Sequence, residues 1–534
     1  MFKLVFDKFW NRFGPQAWHR SRQPVVWVLA LGIGVAVAYA AIAFRFTVET
    51  VTYIFFGTVE RHLYTIVAEM PWWEIVGTTT IGGLLVGLLL HFLVKEKRAH
   101  NVSDVIEARA LRGGRMKQST GLRSAAVSAL SLGVGASAGR EGPVVHLGAT
   151  IGSVLAQRLD YTPKLNRILL GCGVAAAISA SFNAPLAGVL FALEVILGHY
   201  ALRAFAPVVI SSVIAAVISR VHLGDYPAFI VPPHEFGSYL QMPAFALLGV
   251  VGAFVAMGYM RSAMWADDAA QKLLLPLWSR PVIGGFLVGV IAIFFPQVLG
   301  VGYEATDTAL REGFGFWLLI SLIFAKIAAT AISFASRFGG GVFSPSLYLG
   351  AMTGGAVGII AGWISPDLVT SPGVYAIIGM GAVAAAVLGA PISTVLIVFE
   401  LTGDYQIMVA LMVAVSISTL MTQSFLGHSF FQWMLERRDF DQRTGAPVAL
   451  LKTIKVRDFM EPPPPVHAET PKGPVLYPDA TLGRALDLME ARHLSEVPVW
   501  TAGDEPALVG LVRRETALKA YNSALIEAHI EEHQ

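Results

Sequence analysis

The stretch Gly139-Arg140-Glu141-Gly142-Pro143 sets an acid and a base among glycines, with uncharged runs on either side. An ionised side chain at the centre of a bilayer costs roughly 2.5–3.5 kcal/mol, so a carboxylate kept at that depth points to a function. Its neighbours indicate how the cost is met. Gly139 and Gly142 leave backbone N–H groups open to close approach, and Pro143 suits the first turn of a helix running on through Val144 to Leu155. A helix start presents unpaired N–H donors and about half a positive charge, which makes it an anion site for a carboxylate or for a free ion. Gly341-Val342-Phe343-Ser344-Pro345 offers a second helix start of the same kind, with Phe343 in the place of Glu141. The competing reading of Glu141 is a structural ion pair with Arg140.

The elements that must hold these two helix starts are membrane spans. Of the 534 residues, 55% are hydrophobic and only 14% charged, where soluble proteins carry about 25% charged residues. A helix crosses a bilayer with about 20 apolar residues. Uncharged runs occupy 23–44, 75–94, 168–193, 236–260, 281–303, 338–366, 368–399 and 405–435. The runs 124–139, 142–157 and 204–219 are too short for a comfortable full crossing. Several long runs are broken by Gly and Pro, which predicts helices that stop partway, tolerated only when buried in protein or lining a wet cavity.

The chain also repeats itself. Gly139-x-x-x-Pro143-x4-Gly148-Ala149-x-x-Gly152 recurs as Gly341-x-x-x-Pro345-x4-Gly350-Ala351-x-x-Gly354. Ala184-Pro185-x8-Glu194 recurs as Ala390-Pro391-x8-Glu400. Repeated halves with interrupted helices belong to transport proteins, with the substrate site near the midplane where the halves meet. Glu194 and Glu400 stand at matching helix ends and read as structural.

With both helix starts and both Ala-Pro helices in order, the chain resembles the CLC family of chloride channels and chloride/proton antiporters over about residues 25–440. The resemblance implies an all-α, multi-pass membrane fold of two inverted repeats of broken, tilted helices, with halves at about 24–222 and 236–440. It further implies passage of chloride or a similar small anion, a homodimer with one pathway per subunit, and Glu141 as the gate. Arg140, the amides around Gly142 and those of Val342 and Phe343 would then contact the anion.

Three positions depart from the family pattern. Ala99-His100-Asn101-Val102-Ser103 stands where the family has Gly-Ser-Gly-Ile-Pro, so His100 replaces the serine expected to face the central ion, with Asn101 and Ser103 beside it. Phe431 takes the place of the family's central tyrosine, and Val195 that of the inner proton-transfer glutamate. These changes leave open whether the anion is chloride, bicarbonate, nitrate or fluoride, and whether protons are coupled to it. His100 also reads as an ordinary polar loop residue, Phe431 as a core aromatic, and His146 as a helix-packing residue before a proton relay.

The start of the chain, with five Lys/Arg and one Asp before the first apolar run, reads as an amphipathic segment over 1–23 on the inner membrane surface. Both termini are expected in the cytoplasm. Residues 441–534 read as a small α/β domain resembling one CBS motif, through "VRDFM", "SEVPVW" and "ALVGLVRRE". Arg513 and Glu515 replace the Thr and Asp of the nucleotide-binding form, so a structural or dimerising role is expected there, without nucleotide. A net charge of +2 implies no nucleic-acid partner. A single cysteine, Cys172, excludes an internal disulfide and a four-cysteine metal site. No His-Glu-x-x-His motif occurs and intramembrane acids are few, so neither an enzyme nor a metal or cofactor is expected. A cation pathway would want rings of acids or carbonyls, and one glutamate beside Arg140 argues against it.

Overall fold

A computed structural model describes residues 23–224, 239–273, 275–366, 371–438, 451, 454–463, 474–501 and 507–533. Residues 1–22 of the expected amphipathic segment lie outside these, as do the junctions between the halves and at 439–450. The first half contains α1 (Gln23–Phe56), α2 (Leu63–Glu69), α3 (Trp72–Leu93), α4 (Val102–Leu111), α5 (Gln118–Gly133), α6 (Glu141–Arg158), α7 (Pro163–Phe182), α8 (Pro185–Phe191) and α9 (Leu202–Leu223). The second contains α10 (Met242–Lys272), α11 (Arg280–Phe294), α12 (Tyr303–Leu310), α13 (Phe316–Ala335), α14 (Phe343–Ile364), α15 (Pro372–Leu388), α16 (Pro391–Thr402), α17 (Tyr405–Leu426) and α18 (Phe430–Glu436). Among the described residues, eight helical stretches are long and apolar enough to cross a membrane, while α11, α15 and α16 are apolar but shorter.

Gly and Pro break the runs where local physics requires it. The uncharged run 368–399 splits at Gly389, which adopts left-handed backbone (φ 66°) as the cap of α15, and Pro391 then opens α16. The run 204–219 behaves differently from expectation. It forms the 22-residue helix α9, because Arg203 and Arg220 are taken into the helix at its two ends. Arg220 Nε donates to Asn183 Oδ1 at 2.6 Å, so the charge that ended the apolar run is accommodated at the edge.

The repeated glycines set the packing of each half. A Cβ on Gly148 would lie 2.4 Å from the Gly173 carbonyl oxygen, and one on Gly152 2.1 Å from that of Leu169, so α6 and α7 touch backbone to backbone. In the second half, a Cβ on Gly350 would lie 2.3 Å from the Gly379 oxygen, and one on Gly354 1.9 Å from that of Tyr375, bringing α14 onto α15. Small residues are the usual means of close helix approach where lipid supplies no hydrophobic drive.

The halves also cap one another. Glu194, at the end of the first Ala-Pro helix, accepts from the N–H groups of Ile392 (3.1 Å) and Ser393 (2.8 Å) at the start of α16. Glu400, its counterpart, accepts from Leu186 (2.9 Å) and Ala187 (2.8 Å) at the start of α8. Each glutamate thus satisfies two orphan donors of the opposite half.

The tail is a small α/β unit: α19 (Leu482–Ala491), an antiparallel pair β1 (Glu496–Trp500) and β2 (Leu508–Arg513) with Val497 opposite Val512, and α20 (Arg514–His533). Its core gathers Val456, Leu482, Met489, Val497, Val499 and Val512.

Candidate functional site

Two helix starts are tied together at the centre of the membrane part. Gly139 and Gly341 exchange both backbone hydrogen bonds, N–H to O at 2.7 Å in each direction. Gly142 lies so close to Gly341 that a Cβ on it would come within 3.1 Å of the Gly341 Cα. The start of α6 is therefore locked against the start of α14, which brings two sets of helix-start N–H groups close together.

Glu141, the first residue of α6, is 1% exposed. Tyr303 donates its hydroxyl to Oε1 at 2.6 Å and Ser344 donates its own to Oε2 at 2.6 Å. Ser344 is the second residue of α14, so the acid of one half rests on the helix start of the other. Both bonds have the short length of hydroxyl-to-carboxylate contacts. The ion pair between Glu141 and Arg140 does not form. Arg140 Nη1 instead lies 3.3 Å from Glu60 Oε2, with its guanidinium 4.5 Å over the Tyr303 ring. Arg140 lines a separate cavity with Glu60, Tyr303 and Asp307, which shares no lining residue with the space described next, so it serves there as a partner for Glu60 and as a prop for Tyr303.

Beside Glu141 lies a narrow space of about 20 Å³, lined by Asn101, Gly142, Val342, Phe343 and Phe431 among others. That volume holds roughly one water-sized occupant. The structure thus brings together five of the residues expected near an anion, from four separate parts of the chain. It leaves out His100 and Ser103. The Ala99–Ser103 stretch is a helix cap: Asn101 Oδ1 accepts from Ser103 N at 3.1 Å, Asp104 Oδ2 accepts from Asn101 N at 2.9 Å, and Ser103 Oγ donates to Asn101 Oδ1 at 2.7 Å. His100 is turned the other way. Its N–H donates to Ser124 Oγ at 2.6 Å, its Nε2 lies 2.9 Å from Glu96 Oε2, and its ring stacks on His146 at 5.3 Å. The imidazole therefore does not take the position of the serine hydroxyl, because the peptide on which it sits is pinned by Ser124. Val195 lies in the π-turn after α8, 7% exposed.

Three residues of this site escaped the sequence. Tyr259 on α10 is fully buried, its hydroxyl has no hydrogen-bond partner among the described residues, and it lines the 20 Å³ space. Nothing near it in the sequence marks it, because every partner it meets is distant in the chain; its ring stacks on Phe430 at 6.4 Å. Tyr303 sits behind the left-handed Gly302 (φ 89°), a turn that aims the first side chain of α12 at Glu141. Ser344 lay inside the second motif, but its type alone did not show that it faces the acid. Gly135-Ala136-Ser137-Ala138-Gly139 spells the G-x-S-x-G of serine hydrolases. Ser137 Oγ, however, faces Thr330 Oγ1 at 3.1 Å and its N–H donates to Ser333, so its partners are hydroxyls and not an imidazole.

A larger cavity of 340 Å³ adjoins the small space through Asn101, Phe334, Phe338 and Gly340. Arg98, Arg337, Arg437 and Arg438 line it. Acids hold these guanidiniums in place: Arg437 Nη1 on Asp267 at 2.9 Å, Arg98 Nη2 on Asp104 at 2.6 Å and Arg438 Nη1 on Asp104 at 2.9 Å. Four guanidiniums at one mouth raise the local concentration of anions and repel cations.

The model of the voltage gated chloride channel family matches residues 82–423, and that of the CBS domain matches residues 456–523. A putative chloride channel protein, ClcB-like, of Ralstonia nicotianae is 33% identical over 378 residues, which are 70% of this chain and 88% of the relative. The H(+)/Cl(-) exchange transporter ClcA of Vibrio cholerae is 31% identical, with 58% of this chain and 67% of the relative covered. Among solved structures, a slow cyanobacterial Cl-/H+ antiporter superposes with a TM-score of 0.67 at 24% identity, over 77% of this chain and 97% of that one. From the matched span and the Ralstonia relative together, the chain belongs to the voltage gated chloride channel (CLC) family and carries a C-terminal CBS domain.

Proposed function

We propose that this protein passes chloride or a similar small anion across the membrane, and that Glu141 gates the path. One observation carries the reading: the Glu141 carboxylate is seated by Tyr303 and Ser344 where two helix starts meet, beside a space of one-ion size. A carboxylate held there is a tethered stand-in for a free anion, so displacing or protonating it opens the same seat to the transported ion. In the small space the ion meets the N–H groups of Val342 and Phe343 and the idle hydroxyl of Tyr259, and it leaves through the arginine-lined mouth.

Charge supports an orientation. Residues 95–123 carry Lys95, Lys97, Arg98, Arg109, Arg112, Arg115, Lys117 and Arg123 directly after the span α3, which favours the cytoplasmic side for that stretch. Arg98 lines the 340 Å³ mouth, so the mouth opens inward. The chain N-terminal to α1 and the tail after Arg438 then lie on the same side. Two copies form the working unit, each with its own path, and the tail joins them without nucleotide.

Val195 at the place of the inner glutamate favours anion passage without stoichiometric proton movement. Purified protein in liposomes tests both parts at once: an outward chloride gradient should drive chloride release. Proton uptake against its own gradient would establish coupling, and passage of Na⁺ or K⁺ with no need for an anion would remove the proposal.

A further inference from the structure

On the other face of the Val94–Asn101 loop lies a separate cavity of 290 Å³, walled by residues of α4, α5 and α6. Its lining includes four cations, Lys95, Arg112, Lys117 and Arg123, and two acids, Glu96 and Asp104, an excess of 4 − 2 = +2 before the histidines are considered. The acids are already engaged. Asp104 is held by Arg98 and Arg438, and Glu96 by His100 and Arg98. Of the cations only Arg112 is paired, to Glu107; Lys95, Lys117 and Arg123 make no ion pair among the described residues.

Two further features face the same cavity. Lys117 leaves the start of the 16-residue helix α5 without a side-chain cap, and Ser119 and Thr120 of its first turn line the space. His146 also lines it, is 2% exposed, and makes no ring hydrogen bond among the described residues. The Nδ1 atoms of His100 and His146 are both buried without a partner among the described residues. A buried polar group without a partner costs about 1–3 kcal/mol, so a polar occupant of the cavity that reaches this imidazole gains by satisfying it. Loose cations, hydroxyls, an open helix start and an idle imidazole form the donor set of a tetrahedral oxyanion, larger and more highly charged than the ion that fits the 20 Å³ space.

We propose that this cavity binds a phosphate-type oxyanion, presented as free phosphate or as a lipid headgroup, at a site apart from the transport path. His100 and Asn101 are consecutive, one lining this cavity and the other the anion space, so the two sites share a wall.

The test is calorimetric titration of inorganic phosphate into the full chain, purified in detergent, at fixed chloride. Saturable binding of one phosphate per chain is expected, unchanged in Glu141→Gln. The double variant Lys117→Gln/Arg123→Gln alters only exposed side chains and should weaken binding about tenfold or more, the effect of losing a charge-assisted hydrogen bond. His146→Gln should weaken it as well, with its melting temperature as the control for folding. Repeating the titration in vesicles containing phosphatidic acid separates the sources: competition assigns the site to a headgroup, its absence to the free ion. No saturable binding in either setting, or equal binding in the rim variant, overturns the proposal.

Discussion

Tyr259→Phe removes a single oxygen from the wall of the one-ion space, and the structure dictates opposite effects with and without the ion. The hydroxyl is fully buried and has no partner among the described residues, so in the ion-free protein its desolvation of about 1–3 kcal/mol goes unmet. Removing it then leaves stability unchanged or raises it, because Phe keeps the ring and its stacking on Phe430. With an anion present, the same hydroxyl donates to a charge, a bond worth about 1.5–3 kcal/mol. Its loss should raise the chloride Kd by about 10- to 150-fold. The assay is chloride titration by calorimetry on the purified protein, paired with thermal unfolding in a large, impermeant organic anion. Weakened binding together with an equal or higher melting temperature is the expected pattern. An unchanged Kd would show that the ion never meets Tyr259. A lower melting temperature without chloride would show that the hydroxyl has a partner in the protein.

Other consequences are testable in the same preparations. Tyr303→Phe and Ser344→Ala each strip one hydroxyl from the Glu141 carboxylate, so resting chloride flux should rise in both, by up to about tenfold if half of a charge-assisted bond is felt at the gate; unchanged flux in both would detach these hydroxyls from gating. Glu194→Gln and Glu400→Gln weaken the caps between the halves and should cost about 1 kcal/mol each in unfolding without altering which anion passes. Gly350→Ala forces a methyl to 2.3 Å from the Gly379 oxygen and should abolish assembly of α14 on α15, seen as loss of a monodisperse peak in size-exclusion chromatography. Glu96 lies outside the spans; burial raises its carboxyl, but His100 and Arg98 outweigh burial and hold it below the ordinary value of 4.5. A lowered carboxyl stabilises the fold fully above that value and loses its contribution as pH falls through the lowered one. Glu96→Gln should therefore flatten the acid limb of melting temperature against pH.

Local signals located much of this architecture, and the failures have a common physical origin. The glycines at 148, 152, 350 and 354 were visible as a repeat, and their role follows from backbone contact that only Gly permits. Both motif starts were legible because a helix start needs the nearby sequence alone. Side-chain direction was not legible. Arg140 and His100 were expected at the ion, yet each is drawn to a partner elsewhere: Glu60 is 80 residues away from Arg140, and the peptide of His100 is pinned by Ser124. Tyr259 and Tyr303 were missed because hydroxyls inside apolar helices carry no local pattern, and their meaning depends on which helix crosses beside them. Charges at both ends of the run 204–219 predict a helix too short to cross, whereas Arg203 and Arg220 sit within the terminal turns of α9.

Chloride flux as a function of pH, measured in liposomes for the native chain and for Glu141→Gln, tests the central claim most directly. If the carboxylate occupies the seat of the transported ion, native flux rises as the pH is lowered, and the variant conducts at the higher level with no dependence on pH. If the two proteins show the same flux and the same pH response, Glu141 does not gate the path, and the meeting of the two helix starts is structural alone.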